Sequence, residues 1–387
     1  MSFAASLAWP FFETSHREFV PPFRDWVARN LAPFESDEGQ NGTAAREIFR
    51  RLGEARWLGV SVAREPGLRD ARIDLRRVCL MRELLGYNSA IADVALSEPW
   101  LAVLPIALYG SQAQQGRYLD GYIAGRCLPA FALSEPDAGS DVAALAMTAT
   151  PDGDGYVLDG RKTWTSNAGL ADVYVVFART EGASGAHGIS AFLVEGSHAG
   201  VVLETRLRVL PPHTVGTLRF EACRVDRASV LGEPGQGFEI AMRALELFRP
   251  TVAAATLGFA RRAFDEALDR STRRVAFKKP IGEHQLVQEK LADMVVKIDA
   301  AALLTYRAAW LHDAGAASIG REASIAKLYG AEAAQEVVDQ ALQIFGGLGV
   351  LRGITVERLY RHVRAFRIFD GTSEIQKLVI ARHLLKG

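Results

Sequence analysis

The chain has 387 residues, 49% of them apolar, with 45 basic and 45 acidic side chains and a formal net charge of zero. That length holds two or three domains with sizeable cores. The apolar content and neutral balance exclude a disordered chain and speak against nucleic-acid binding, which wants a basic patch or stripe.

No apolar run approaches the ~20 residues of a membrane-spanning helix. Met1 to Pro10 lacks the basic start and long apolar core of a signal peptide. Three widely spaced cysteines, Cys79, Cys127 and Cys223, form neither a disulfide framework nor a zinc site. The eight histidines form no His-x-x-x-His pair around a glutamate. The expectation is a cytoplasmic protein with reduced thiols, no metal, no membrane span and no nucleic-acid partner.

Residues 1–125 read as helical. Phe19, Phe23, Trp26, Val27 and Leu31 recur at helical spacing, as do Ile48, Leu52 and Trp57, then Val78, Leu80, Met81 and Leu84. Ala63-Arg64-Glu65-Pro66-Gly67 is a turn signal between two such runs. Residues 126–235 change character. Thr148 to Tyr156 reads as strand, Gly/Asp turn, strand. Val173–Phe177, Ile189–Val194 and Gly216–Phe220 are rich in β-branched and aromatic side chains. Gly232–Gly237 closes the region as a loop. Residues 236–387 are helical again, with stripes such as Leu291, Met294, Val295 and Ile298. Long patterned helices on short loops predict a bundle. The expected fold is mainly α with a β insert: an N-terminal helical domain (1–125), a middle β-barrel or sandwich domain (126–235) and a C-terminal four-helix bundle (236–387).

Five segments carry polar chemistry. Phe131-Ala-Leu133-Ser134-Glu135-Pro136-Asp137-Ala138-Gly139-Ser140-Asp141 offers two hydroxyls, a stiffening proline and a glycine that permits close backbone approach, which suits a flat polar ligand. The alternative is a polar loop leading into a helix capped by Ser140 or Asp141. Gly160 to Gly169 sets Trp164 beside Thr165 and Ser166. An indole there can cover one face of a flat ring while the hydroxyls bond its edge; the alternative is a strand with a structural tryptophan. Arg273 to Gln285 contains Arg274, whose forked charge suits a pyrophosphate, although a basic run is usually a solvated face. Gln343-Ile-Phe-Gly346-Gly347-Leu-Gly349 lets backbone N–H groups approach a phosphate or ribose, or is a helix C-cap. It is not a dinucleotide fingerprint, since no strand precedes it.

The last segment is Ile368-Phe369-Asp370-Gly371-Thr372-Ser373-Glu374-Ile375-Gln376. A carboxylate with apolar neighbours on its approach side is expected to be poorly hydrated, with a pKa raised toward neutrality and a use as a base. Alternatively, Asp370-Gly371 is turn chemistry and Ser373-x-x-Gln376 is a capping box that starts the last helix.

These five strings, in this order and spacing from 131 to 376, resemble the acyl-CoA dehydrogenases. The N-terminal third matches only in pattern, for example at Leu84-Leu85-Gly86-Tyr87, and the stretch from Glu65 to Asp74 looks shorter than usual. The resemblance implies FAD held by Phe131, Leu133, Ser134, Ser140, Trp164, Thr165, Ser166, Arg274, Phe277, Gln285, Gln343, Gly346, Gly347, Thr372 and Glu374. It implies an acyl thioester contacted by Ser140, Arg249 and Gly371. The Gln343–Gly349 loop of the relatives reaches the neighbouring subunit's FAD, so a homo-oligomer, dimer or tetramer, is expected. Arg361 and Arg364 match the family's Arg-x-x-Arg, while His362 stands where aspartate is common. Lys278 stands where glycine is usual, so the local turn or its phosphate contact is expected to differ.

By the same resemblance, Asp370 abstracts the α-proton of an acyl-CoA, a hydride leaves the β-carbon for flavin N5, and a trans-2-enoyl product forms. The carbonyl is held by the flavin ribityl hydroxyl and by the N–H of Asp370, donors of the kind worth roughly 2.7–4 kcal/mol each. An electron-transferring flavoprotein is the expected electron partner. The family usually has glutamate at this position. Aspartate is one methylene shorter, and a misplacement of ~1 Å costs on the order of 10²-fold. Some relatives, nitroalkane oxidase among them, do carry a catalytic aspartate here. Others place their base at the position of Phe248, which cannot serve. Glu246 lies two residues earlier and points to another helix face. The competing readings are an oxidase of a small carbon acid such as a nitroalkane, and a catalytically silent FAD-binding relative.

Overall fold

The computed structural model describes residues 6–35, 42–62, 73–180 and 185–385. The turn expected at Ala63–Gly67 lies outside them. The chain forms two compact units. One comprises the described residues of 39–71 and 94–245, the other those of 1–38, 72–93 and 246–387.

In the first unit the strands are β1 (Pro129–Ala132), β2 (Thr148–Asp152), β3 (Gly155–Ser166), β4 (Val173–Thr180), β5 (Ile189–Glu195), β6 (Val201–Leu207), β7 (Val215–Asp226) and β8 (Val230–Leu231). They form one mixed eight-stranded sheet in the order β6-β7-β3-β2-β4-β5-β8, with β1 parallel to β4. The Gly/Asp run makes the β2–β3 hairpin, and Gly153 supplies the left-handed residue of its turn (φ 63°). Tyr174, Val176, Phe192, Leu218 and Phe220 interlock as the core. The helix Gln112–Ile123 opens with a capping box between Ser111 and Gln114. The Gln114 amide then donates to the carbonyls of Ala228 and Val230, which ties the helix to the start of β8.

One sequence expectation fails here. The helix Ala90–Tyr109 has 20 residues, and an 18-residue window of it has a mean hydropathy of 1.5, long and apolar enough to cross a membrane, yet 78% of that window is buried inside the fold. Asp93, Ser97 and Glu98 break the run to the eye, but each has a partner. Asp93 pairs with Arg82, the Ser97 hydroxyl reaches Glu98, and Glu98 accepts from Ser166.

In the second unit the long helices Gln285–Asp313 and Gly320–Phe345 pack with residues 246–273 of the helix Gly237–Arg273. Small residues set the close approach: Ala253, Ala308 and Ala326 form one cluster. A Cβ on Gly330 would sit 3.1 Å from that of Ala253. Two carboxylates buried here are paired. Arg82 grips Asp93 with two bonds of 2.8 Å. Glu83 accepts from Arg261 at 2.7 Å and Tyr306 at 2.5 Å. Removing one partner of such a pair typically costs ~3–5 kcal/mol. His16, Asp74 and Asp313 also converge. Their ligand atoms are engaged within the protein: His16 accepts from the Glu13 N–H and faces Asp74, and Asp313 accepts from Arg76.

Candidate active site

The segment at 131–141 is anchored from within. Glu135 accepts from the backbone N–H groups of Ala146 (2.6 Å) and Met147 (3.0 Å) and from the fully buried Lys162 ammonium (2.7 Å). Lys162 also donates to the Leu133 carbonyl at 3.0 Å. The backbones of Glu135 and Ala138 exchange two bonds, closing a tight turn around Pro136, and the Thr163 N–H donates to the Ser134 carbonyl. The motif's glutamate therefore holds the loop's shape and is buried beneath it. Burial pushes the Lys162 pKa down to about 8, with Glu135 pulling it back up. The expected capped helix reduces to a three-residue turn, Val142–Ala144, with no side-chain bond from Asp141. Leu133 is buried, Phe131 and Ser134 are half-buried, and Ser140 is exposed.

Trp164 is not a core tryptophan. The β3–β7 pairing slips between Lys162 and Thr165, and this bulge puts Trp164 at φ 56° with its ring 61% exposed. The next side chain, Thr165, turns in, and its buried hydroxyl has no hydrogen-bond partner among the described residues. Such an orphan costs ~1–3 kcal/mol until something pairs with it. Ser166 donates to Glu98 at 2.7 Å. An open aromatic face with an unsatisfied hydroxyl beside it fits the face and edge of an isoalloxazine, so these residues suit FAD.

Farther on, Val275–Ala276 and Lys279–Pro280 form a two-residue hairpin whose tip, Phe277 and Lys278, has φ 50° and 69°. Both angles are left-handed, as in a type I′ turn. Lys278 thus takes a left-handed conformation that glycine adopts at the least cost. Phe277 is 89% exposed, edge-on to His284 at 5.8 Å. Arg274 is exposed, and Gln285 is the exposed first residue of the helix that follows. Gln343 lies near the end of the helix Gly320–Phe345, which Gly346 caps at φ 63° through its N–H to the Gln343 carbonyl. Added methyl groups on Gly346 or Gly347 would meet nothing within 4 Å, so both glycines face open space. Arg270 lies 5.6 Å from the Phe345 ring, which sets the ends of these two helices side by side.

Asp370 sits in a left-handed turn, φ 57°, followed by Gly371 at 88°. Its surroundings are cationic, contrary to the apolar setting expected. Ile368 is 57% exposed, while the buried Arg249 and Lys327 both feel the aspartate's charge. Burial holds the Arg249 pKa below its usual range, with Asp370 and Glu246 opposing, and its Nε has no hydrogen-bond partner among the described residues. Burial pushes Lys327 down to about 8; Asp370 raises it and Arg249 lowers it further. The Lys327 ammonium donates to the carbonyls of Phe369 (2.9 Å) and Gly371 (2.7 Å). Sequence reading missed Lys327; the signal available was a lone lysine in an alanine-rich helix face.

The helix start also differs from expectation. Thr372 is the capping residue, its hydroxyl accepting from the Ile375 N–H. Ser373 instead donates to Glu332 at 2.6 Å, and the Gln376 amide donates to the carbonyls of Asp370 (3.2 Å) and Gly371 (2.9 Å). Glu374 is exposed and held below the usual carboxylate range by its own backbone N–H and the Thr372 hydroxyl. Glu246 is engaged at the start of the helix Gly320–Phe345, accepting from the Ser318 hydroxyl and from the Ile319 N–H. Phe248 is buried with Arg82 4.9 Å above its ring. Arg361 pairs with Glu357 at 2.6 Å, and Arg364 is exposed. His362 is buried, neither ring nitrogen is bonded among the described residues, and burial pushes its pKa down to about 3, so it stands as a neutral ring. A cavity of ≈ 320 Å³, lined by Glu289, Asp293, Lys297, Glu336 and Arg367 among others, holds none of the site residues expected from sequence.

Residues 13–126, 130–223 and 235–385 match the family models for the acyl-CoA dehydrogenase N-terminal, middle and C-terminal domains. The chain is 38% identical over 377 residues to the human mitochondrial short-chain specific acyl-CoA dehydrogenase, spanning 96% of this chain and 90% of that one. It is 36% identical over 368 residues to the caffeyl-CoA reductase–Etf complex subunit CarC of Acetobacterium woodii, spanning 94% and 96%. Among solved structures it is similar to the acyl-CoA dehydrogenase complexed with FAD from Bacillus anthracis, with a TM-score of 0.90, 31% identity, and 97% of this chain and 68% of that one covered. With all three domain models matched in chain order, the chain belongs to the acyl-CoA dehydrogenase family and is an FAD-dependent oxidoreductase.

Proposed function

We propose that the chain dehydrogenates a short-chain acyl-CoA to its trans-2-enoyl thioester, with Asp370 as the base. The observation that carries this is the geometry around Asp370: a carboxylate on a left-handed turn, with the buried cations Arg249 and Lys327 within its field. Phe248 and the engaged Glu246 leave no other candidate on the helix segment that holds the base in some relatives. The α-proton of a thioester is a weak acid, so its removal needs the developing enolate charge to be stabilised. As the proton reaches Asp370, negative charge passes from the carboxylate to the substrate without leaving the field of the two cations. Bound FAD supplies the acceptor for the β-hydride. Trp164 and Thr165 offer it a face and a hydroxyl; Arg274, in the other unit, is an exposed forked charge of the kind that suits a pyrophosphate.

The short chain length rests on the likeness to the human short-chain enzyme. Electron transfer to an electron-transferring flavoprotein rests on the likeness to an Etf-complex subunit. A homo-oligomer is supported by Val296, Leu303 and Trp310, which recur every seven residues along one helix and remain exposed; sedimentation as a monomer would refute that part. The test of the reaction is anaerobic bleaching of the flavin by acyl-CoAs of graded length. The wild type should bleach fastest with short chains, and Asp370→Asn should keep its FAD and not bleach. Retained bleaching in that variant would place the base elsewhere. Hydrogen peroxide production from a nitroalkane, with no response to acyl-CoA, would replace the dehydrogenase reading by the oxidase one.

A further inference from the structure

Lys327 lies two turns into the helix Gly320–Phe345 and is fully buried. Lysines are almost never that deep unless paired. Its counterpart in the β unit, Lys162, ends on a carboxylate. Lys327 ends on two backbone carbonyls, those immediately before and after Asp370, at 2.9 and 2.7 Å. A second fully buried side chain, Gln376, donates to the carbonyls of Asp370 and Gly371 at 3.2 and 2.9 Å. Three consecutive carbonyl oxygens, of residues 369 to 371, are therefore held by two side chains. Gly371 makes room for this arrangement: a Cβ there would come within 2.6 Å of the Gln376 amide nitrogen. The held segment is the one whose backbone takes two left-handed residues in succession. Asparagine and aspartate tolerate that conformation better than most residues, yet it is uncommon for any side chain and needs surroundings that impose it.

We propose that Lys327 is a positioning residue for the base: its ammonium, bound to the carbonyls on both sides of Asp370, holds that residue in its left-handed turn and so fixes where the carboxylate points. The proposal rests on Asp370 being the base. A lysine that only stabilised the bundle would affect melting and leave the chemical step alone. A positioning lysine acts on the chemical step with little effect on substrate affinity, because displacing a base by ~1 Å costs on the order of 10²-fold in rate.

The experiment is anaerobic stopped-flow reduction of the FAD-loaded enzyme by its best acyl-CoA, on wild type, Lys327→Met, Lys327→Ala and Asp370→Asn. Lys327→Met should keep full FAD content, lose about 10²-fold in the limiting reduction rate, and change the apparent Kd for substrate by less than about threefold. Amide hydrogen exchange across residues 368–376 should quicken in the same variant, a readout independent of turnover. Small alkylammonium ions should restore part of the rate in Lys327→Ala by filling the vacated space, and this arm decides the matter if the methionine variant does not fold. A wild-type reduction rate in Lys327→Met, or a loss seen wholly in Kd, would overturn the proposal, as would failure of rescue in the alanine variant. If Asp370→Asn still bleaches, the assignment of the base falls. If Asp370→Asn is silent while Lys327→Met reduces normally, only the positioning role falls.

Discussion

Replacing Glu135 by glutamine tests the internal anchoring of the 131–141 loop. The carboxylate faces three donors: the N–H groups of Ala146 and Met147 and the Lys162 ammonium. Glutamine has the same shape but brings one oxygen and one NH₂. If its oxygen serves Met147 and Lys162, its NH₂ meets the Ala146 N–H, donor against donor, and a buried N–H loses its partner at about 2 kcal/mol. Lys162 also loses its counter-charge. Its ammonium already titrates near 8 rather than the ordinary 10.5, so giving up the proton at pH 7.5 adds only ~1 kcal/mol. The sum, ~3 kcal/mol, lies at the low end for breaking a buried pair.

A domain of this size should then melt roughly 6–12 °C lower, measured by circular dichroism at pH 7.5. The pH dependence has a definite sign. In wild type the folded state releases the Lys162 proton near 8 and the unfolded state near 10.5, so the unfolded chain binds more protons in that window. The contribution of this group to stability therefore rises with pH from about 8 to about 10.5. In the variant the same lysine titrates lower still, so the gap between the two proteins should narrow as pH rises through 8. An unchanged melting temperature at pH 7.5, or a gap that widens at pH 9, would refute the reasoning.

Trp164→Ala should barely change the stability of the cofactor-free chain, because the ring is exposed, but should weaken FAD binding about tenfold, as loss of one aromatic contact implies; equilibrium dialysis measures it. Thr165→Val removes a buried, unbonded hydroxyl, so the cofactor-free form should gain about 1 kcal/mol while FAD is held less tightly; equal gains with and without FAD would detach this residue from the site. Arg274→Ala should loosen FAD by roughly 10–10²-fold, the worth of a charge-assisted bond, and unchanged retention on gel filtration would remove it from the pyrophosphate. Lys327 titrates near 8 with Asp370, Arg249, Glu332 and Glu374 as its charged neighbours, so the limiting rate of flavin reduction should fall as pH rises past about 8. In the same range this lysine's contribution to stability should rise, by the same proton count as for Lys162. A rate that stays flat to pH 9.5 would contradict this.

The order of helices, strands and helices was legible because each region keeps one period over many residues. Apolar spacing near 3.6 marks the flanks, and β-branched runs with a Gly/Asp turn mark the strands between. The polar strings stood out as strings, but the positions their side chains take in the fold did not. Glu135 lies in the most specific motif and points inward, and nothing in its neighbours along the chain shows the Lys162 that binds it 27 residues later. Trp164 reads equally well as core or contact until the bulge turns it out. The setting of Asp370 differs from the one its sequence neighbours suggest: Ile368 turns to solvent, and the cations come from helices beginning at Gly237 and Gly320. Ser373 looked like a cap by pattern, but Glu332 draws its hydroxyl away and Thr372 takes the role.

The unbonded hydroxyl of Thr165 bears on how the protein survives when its ligand is scarce. A fold that leaves a hydrogen-bonding group unanswered in its interior is tuned to the loaded form and tolerates the empty one. Ligand present at a hundred times its dissociation constant adds about 2.7 kcal/mol to the folded state by mass action alone. Chains made faster than flavin is supplied should therefore be the first to unfold, and the amount of enzyme in a cell should track its flavin supply as well as its rate of synthesis.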